Sequence, residues 1–479
     1  MIAAIIPCVP DLYGSRSLHR LKLVIAALSL VAGGCASLDG AREIESVNQT
    51  LTDFTASDLR LNDDAAVTRE RLASRTILLE SPLTQDAAVR VALLGSPSLQ
   101  ALLEKETVRI ADAQREGRIG NPTLTYERLR VDGKTEIGRI LSVGLLELLT
   151  LPQRQRIAAA EGEAAAARLA LTVVDEVTRV RQAWVRAVAA DQKLRYAERV
   201  LESSKATAEL ARRMEAAGNF NRLSRARQQA YEADARTQLM LARAQASADR
   251  EALVRALGLD DSDASRLRLP DRLPDIPKTA LSPEEISARA SKERLDLRLS
   301  EANWRAAARR SGLGELTTRT DIELGLVRDG EANGYEVELR LPVFDFGDLN
   351  RRVLDGHARS ALNDLEATRR AAGSHLRESY AGYLAAHAVA RNHLDELIPL
   401  RRMISDETLL RYNGMIIGVF ELLADAREQV TTVIAAIDAE QQYWLAEAAL
   451  ESALVGRPTM STPIAATAAS TRTSTAKDH

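Results

Sequence analysis

The sequence predicts a mainly α fold with a small β part, organised as a helix–strand–strand–helix–helix unit that occurs twice. Composition points to helices: 4% of the 479 residues are aromatic and 27% are charged, which suits long helices packed through Ala and Leu better than large aromatic cores. Four short stretches alternate apolar and polar residues with the period of a half-buried strand. The third observation is repetition. Leu83–Gly117 ("LTQDAAVRVALLGSPSLQALLEKETVRIADAQREG") has a counterpart in Leu281–Gly312 ("LSPEEISARASKERLDLRLSEANWRAAARRSG"), 198 positions later. A net charge of -3 and a pI near 6.2 offer no polyanion-binding surface, which sets nucleic acid aside as a partner.

At the N-terminus, Arg16, His19, Arg20 and Lys22 precede the apolar run "LVIAALSLVAGG" (Leu23–Gly34). It is too short for a permanent membrane helix and is built like a secretory signal. Residues 1–15, ahead of the basic patch, are unusual for a signal and fit a misplaced start codon. The run ends in "VAGGCAS", where Ala32, Gly33 and Gly34 before Cys35 look like a lipobox, although Ala32 stands where that pattern prefers Leu. The expectation is removal of residues 1–34 and lipidation of Cys35; the alternative is a plain signal peptide with a free thiol. Acyl chains, at about 0.8 kcal/mol per buried CH₂, hold a protein at a membrane without spanning it. Cys8 leaves with the signal, so neither a disulfide nor a thiolate metal cluster is expected.

Residues 35–82 are expected as a lipidated N-terminal linker segment. The first repeat then runs over 83–258 and the second over 281–456, joined by a Pro-, Asp- and Ser-containing linker, 259–280. The register persists: Leu124 answers to Ile322 and Gly258 to Gly456 at a spacing of 198, and Val143 to Val337 at 194. Residues 457–479 read as a polar, disordered tail.

The strands of the first repeat are expected at Asn121–Val131 and Glu136–Leu148, around the turn signal Asp132-Gly133; those of the second at Thr320–Arg328 and Tyr335–Phe344. Each has about the 9–11 residues that cross a bilayer as a tilted strand. Alternation is clean in the last, with Tyr335, Val337, Leu339 and Leu341 on one face and Glu336, Glu338 and Arg340 on the other. It is partial in the first repeat, where Leu129 and Val131 depart from it. Four strands cannot close a transmembrane barrel, and an open edge in lipid leaves backbone groups unpaired at several kcal/mol each. Other chains must complete the sheet: two copies give eight strands with a filled interior, three give twelve with a water-filled bore. The apolar face would meet lipid, and Glu336, Glu338 and Arg340 the lumen.

After each strand pair comes a long helical hairpin, 153–256 and 348–455. From Gln153 to Ala217 neither Pro nor a Gly cluster intervenes, and Val173, Val177, Val180, Trp184 and Ala187 follow steps of four and three, the seam of a coiled coil. About 60 helical residues reach roughly 90 Å at 1.5 Å each. Gly218-Asn219 turns the first hairpin and "NGMIIG" (Asn413–Gly418) the second.

Taken together, "LTQDAAVRVALLGSPSL", "NPTL" before the first strand and "RYNGMIIGVFELLADAREQ" at the second tip, over Leu83–Gly456, resemble the outer membrane efflux protein family, the TolC-like channels. Ser96 replaces the usual Asn before Pro97. The resemblance implies a homotrimer in which a 12-stranded transmembrane β-barrel in the outer membrane, in contact with its lipid, joins a long α-helical coiled-coil barrel crossing the periplasm. It implies an inner-membrane pump and a periplasmic adaptor (membrane fusion protein) as partners, in efflux or type I secretion. The periplasmic gate would be formed near the tips by Tyr412, Glu421 and Asp425. At the first tip Ser224 stands where an acidic residue is frequent, beside Arg222. Three copies of Glu421 around an axis would attract cations; alternatively Glu421 and Asp425 are ordinary solvated helix residues. Gly218, Asn219, Gly414 and Gly418 would meet the adaptor, or simply make the turns. "GVFELLADAREQ" and "LTLPQRQRIAAAEG" look nearer to members grouped with heavy-metal efflux.

Channels work by pore width and lining charge, and no catalytic residue, metal site or cofactor is expected. His357, His375, His387 and His393 share one predicted helix without ligand spacing, and no HExxH, phosphate loop or G-x-S-x-G is present. The rival from another class is a lipid-anchored periplasmic coiled-coil scaffold or adaptor that does not conduct; it leaves the four bilayer-length strands unexplained.

Overall fold

The computed structural model describes residues 40–55, 58–60, 65–131, 133–290, 294–317, 321–329, 332–340, 344 and 346–459. The signal region 1–34, Cys35, Leu341 and the tail from 460 lie outside the described residues. Of the two compact units, Met1–Glu43 and Ile44–His479, the second carries the fold.

Two helices, α1 (Gly40–Thr55) and α2 (Ala65–Leu78), precede Leu83. The stretch expected as a linker, 35–82, is therefore folded where described. The cause is an apolar stripe: Ile44, Val47, Leu51 and Phe54, at steps of three and four, are all buried. Asn48 ties this helix to the chain beyond it, its amide donating to the Leu59 carbonyl (3.0 Å) and its Oδ1 accepting the Leu59 N–H (2.7 Å).

Helices α3 (Gln85–Gly95) and α4 (Pro97–Glu116) follow. The Thr84 hydroxyl caps α3 by accepting the Ala87 N–H, and Pro97 opens α4 where no N–H is needed. Next come β1 (Thr123–Val131), β2 (Lys134–Gly144), α5 (Leu145–Ala216) and α6 (Arg222–Leu257). Short helices α7 (Asp261–Arg266) and α8 (Pro283–Arg289) lead to α9 (Leu295–Thr317), β3 (Asp321–Asp329), β4 (Ala332–Arg340), α10 (Asp348–Asn392), α11 (Ile398–Asn413) and α12 (Val419–Leu454).

Several boundaries differ from the expectation: β1 starts at Thr123, not Asn121, β2 at Lys134, not Glu136, β3 spans Asp321–Asp329 instead of Thr320–Arg328, and β4 spans Ala332–Arg340 instead of Tyr335–Phe344. The largest shift is where β2 meets α5. β2 stops at Gly144, not Leu148, and α5 starts at Leu145, not Gln153. The run Leu145–Leu151 has no period-two alternation, and the helix it begins continues through Pro152 although that residue cannot donate to the Leu148 carbonyl. In the second hairpin a π-helical turn, His393–Leu397, interrupts the helix. Pro399, just beyond, has no N–H for the Asp395 carbonyl, and widening the turn accommodates its ring.

The core surrounds the middle of α5. Val173, Val177, Val180, Trp184 and Ala187 are all buried there, in one cluster with Leu83, Val89, Leu103, Leu253 and Leu257. Trp184 Nε1 donates to the Leu83 carbonyl at 2.7 Å, so the largest core side chain leaves no orphan donor. The connection 259–280 is a strap rather than a free linker: Leu267 and Leu273 enter the same core and Ile276 a neighbouring one. Full burial of each such side chain stabilises by about 1.5–3 kcal/mol. Helices α6 and α12 end on left-handed glycines, Gly258 (φ 65°) and Gly456 (φ 95°). His387, expected in solvent, is buried, its Nε2 2.9 Å from the Pro277 carbonyl.

The strands form one antiparallel sheet in the order β1-β2-β3-β4. Its centre, β2 against β3, pairs a strand from each half of the chain; β1 and β4 have one neighbour each.

Candidate functional site

The sheet register sorts the side chains of all four strands onto two faces. One row runs Leu124, Leu141, Leu326, Tyr335, and the next Val143, Leu324, Val337; Ile322 lies opposite Leu339. Across these rows the face is apolar, and it is bare: Leu326 is 62% and Tyr335 78% exposed. So large an open apolar patch marks a membrane or partner surface. The opposite face carries Glu336 and Glu338, as the alternation predicts. Glu338 pairs directly with Glu323, while Glu127, Gly138 and Asp329 form another row on the same face. Glu127, Glu323 and Asp329 escaped the sequence because their face depends on pairing between distant strands; Arg340 occupies the edge of this face opposite Asp321.

At the other end of the long helices lie the two tips. In the first, Gly218 takes the left-handed conformation (φ 79°) while the Asn219 N–H donates to the Met214 carbonyl at 2.8 Å. Asn221 then caps α6, its Oδ1 accepting both the N–H and the hydroxyl of Ser224 at 2.8 Å. Ser224 is thus a buried capping partner, while Arg222 is exposed. In the second tip the left-handed residue is Met415 (φ 58°), not Gly414, and Gly418 is the extended residue before α12. The turn glycines are therefore not equivalent. Gly218 serves the backbone; Gly414 and Gly418 do not need their freedom.

The tips touch through stacked rings of Phe220 and Phe420, 5.0 Å between centroids. Nearby, Met415, Ile416 and Leu223 are exposed. Of the acidic residues, Glu421 is exposed and Asp425 half-buried with an Oδ2 that has no hydrogen-bond partner. Arg427, two positions on, lies over the Tyr231 ring (4.3 Å) and donates to Gln228 Oε1 (3.1 Å), joining the second hairpin to the first. Tyr412 is half-buried on α11. The helices and the turns were legible in the sequence; the Phe220–Phe420 and Arg427–Tyr231 contacts, between residues about 200 positions apart, were not.

No protein-family model matches the sequence, and neither does any curated protein. Solved structures do match. A membrane protein from Pseudomonas aeruginosa shares 20% identity over 77% of this chain and 93% of its own, with a TM-score of 0.64. The outer membrane protein VceC from Vibrio cholerae shares 15% over 78% and 96% (TM-score 0.63), and the CmeC outer membrane channel of Campylobacter jejuni 13% over 81% and 86% (TM-score 0.64). The chain has the fold of the TolC-like outer membrane channels.

Within this TolC-like fold, the buried carboxyl of Glu447 is among the strongly perturbed groups. Burial, reinforced by Glu451, pushes the Glu447 carboxyl up to about 7, against the pull of Arg181 and Arg289; Asp86 adds to the rise. It lies on α12, far along the chain from the tips, and no sequence pattern distinguishes it from the neighbouring Glu440 and Glu451. Among the described residues, no helix of the TolC-like fold is long and apolar enough to cross a membrane.

Proposed function

We propose that the chain is the outer membrane channel subunit of a tripartite efflux system, conducting substrate received from an inner-membrane pump through a periplasmic adaptor. The observation that carries this reading is the four-stranded sheet, with an apolar band across one face and the acidic residues on the other, whose end strands β1 and β4 each leave one edge unpaired. Hydrocarbon tolerates such a sheet only when it is closed. Three copies of a duplicated two-hairpin unit supply twelve strands, a bore wide enough for water, and twelve helices to continue it. The apolar face then meets lipid, while Glu336, Glu338 and Arg340, with Glu323, line the lumen.

In this arrangement the long helices form a tunnel in the periplasm, and the tips meet the adaptor through Gly218, Asn219, Gly414 and Gly418, with Met415 and Ile416 as apolar anchors. Tyr412, Glu421, Asp425, Arg222 and Ser224 surround the narrow end. Residues 1–34 act as the signal and Cys35 as the lipid anchor, so Cys35→Ser should lose acyl labelling. A metal cargo rests only on the sequence resemblance of the second tip and of the start of α5. Loss-of-function cells challenged with metals, dyes and antibiotics test it. The channel itself is tested by outer membrane fractionation, heat-modified gel mobility and planar-bilayer recording. A soluble, non-conducting monomer would leave the scaffold reading in its place.

A further inference from the structure

Beyond the apolar band, toward the two strand turns, the same face of the sheet changes chemistry. Arg128 and Arg130 of β1, Arg139 of β2 and Arg328 of β3 all lie on this face, each exposed. Arg139 and Arg328 are direct register partners, and Arg128, opposite Ile137, is their diagonal neighbour. Every described acidic residue of the strands falls on the other face. The segregation is complete: four guanidiniums on the apolar side, none of them in an ion pair among the described residues.

Like charges directly opposite each other in a sheet are unfavourable, so the Arg139–Arg328 pairing has a cost that no acidic partner among the described residues offsets. An anion between them would offset it, and guanidinium forks are matched to phosphate oxygens. The level in the membrane identifies the anion's source. Tyr126 stands in the row of Arg139 and Arg328, and Tyr335 in the row just below. Tyrosines on the lipid side mark the depth at which hydrocarbon gives way to headgroups. From Ile322 to Arg328 is roughly 20 Å along the strand at about 3.3 Å per residue, placing the arginines at the end of the apolar band and not within it.

Resting on the proposed membrane barrel, we propose that Arg128, Arg130, Arg139 and Arg328 form a docking site for the phosphates of an anionic glycolipid of the outer leaflet. The apolar rows Leu124–Tyr335 and Val143–Val337 receive its acyl chains. The site lies wholly on strands, so each copy in the ring presents one, and a shell of such lipids seals the barrel against the bilayer.

The test uses the full chain extracted in detergent and native mass spectrometry, with a bisphosphorylated acylated glucosamine disaccharide as probe and its dephosphorylated form as control. The phosphorylated probe is retained about tenfold more strongly, a margin that the variant R128Q/R130Q/R139Q/R328Q abolishes. All four side chains are exposed, so the variant keeps the heat-modified gel mobility of the parent. Should the quadruple variant not fold, R139Q and R328Q singly each reduce the preference. Equal retention of the two probes, an unchanged preference in the variants, or displacement by inorganic phosphate at equal concentration would overturn the assignment. Planar-bilayer recording on the same preparation separates the two levels. A conducting channel without the preference removes this site alone, whereas a preparation that never conducts removes the barrel as well.

Discussion

A carboxyl whose ionisation is disfavoured in the folded chain stabilises the fold while it is protonated. Glu447 moves from an ordinary 4.5 to about 7 on folding, so its contribution is full below about 4.5 and is lost as pH rises to about 7. Detergent-extracted protein should therefore melt at a higher temperature near pH 5 than near pH 8, and Glu447→Gln should flatten that difference, worth roughly 1–3 kcal/mol. An unchanged pH profile in the variant would show that other groups set it. Glu421 is the opposite kind of residue, exposed at the tip with no ion pair among the described residues; in the proposed gate its charge would act on passing ions and not on the fold. Glu421→Ala should lower cation preference or change single-channel conductance in planar bilayers, with thermal stability unaltered. The resemblance of the second tip singled out Glu421, but nothing in the sequence marks Glu447: a Glu on a helix looks the same whether its neighbours are Arg181 and Glu451 or water.

Two helices of the hairpins end on glycines that no other residue replaces cheaply. A Cβ on Gly258 would sit 2.8 Å from Ser96 Cα, and one on Gly456 2.6 Å from Asp296 Oδ1, each at positive φ. Gly258→Ala should destabilise by about 2–4 kcal/mol, from strain plus a clash with backbone. Gly218→Ala has the strain but open surroundings, and should cost about 1 kcal/mol. Thermal unfolding of the two variants checks the order. At this scale much was legible in advance. The seam from Val173 to Ala187 gave the buried side of α5, and Tyr335–Leu339 the faces of β4, because each follows one period over several residues. Leu145–Leu151 follows none, so its helix was invisible, and the π-helical turn at His393 depends on how Pro399 distorts a helix already present. The N-terminal stripe Ile44–Phe54 carries a legible period, although the segment around it reads as a linker.

For the molecule as a whole, the sheet is the element that a single chain leaves unfinished. Composition and repetition indicated long helices and paired strands, but the register of β2 on β3, which aligns Leu141 with Leu326 and gathers the acids opposite them, is non-local and had to come from the fold. That alignment makes closure testable. Within one chain β1 and β4 are separated by two strands, about 14 Å at 4.8 Å per strand, beyond the roughly 7 Å that a disulfide spans between Cα atoms. Cysteine pairs introduced as a register panel across β1 and β4, beginning with T125C/E336C, therefore join only if different copies meet edge to edge. Oxidation of the detergent-extracted protein should give covalent trimers on denaturing gels, with conductance retained. Monomer at every register, in protein that is folded and located in the outer membrane, would contradict the shared barrel.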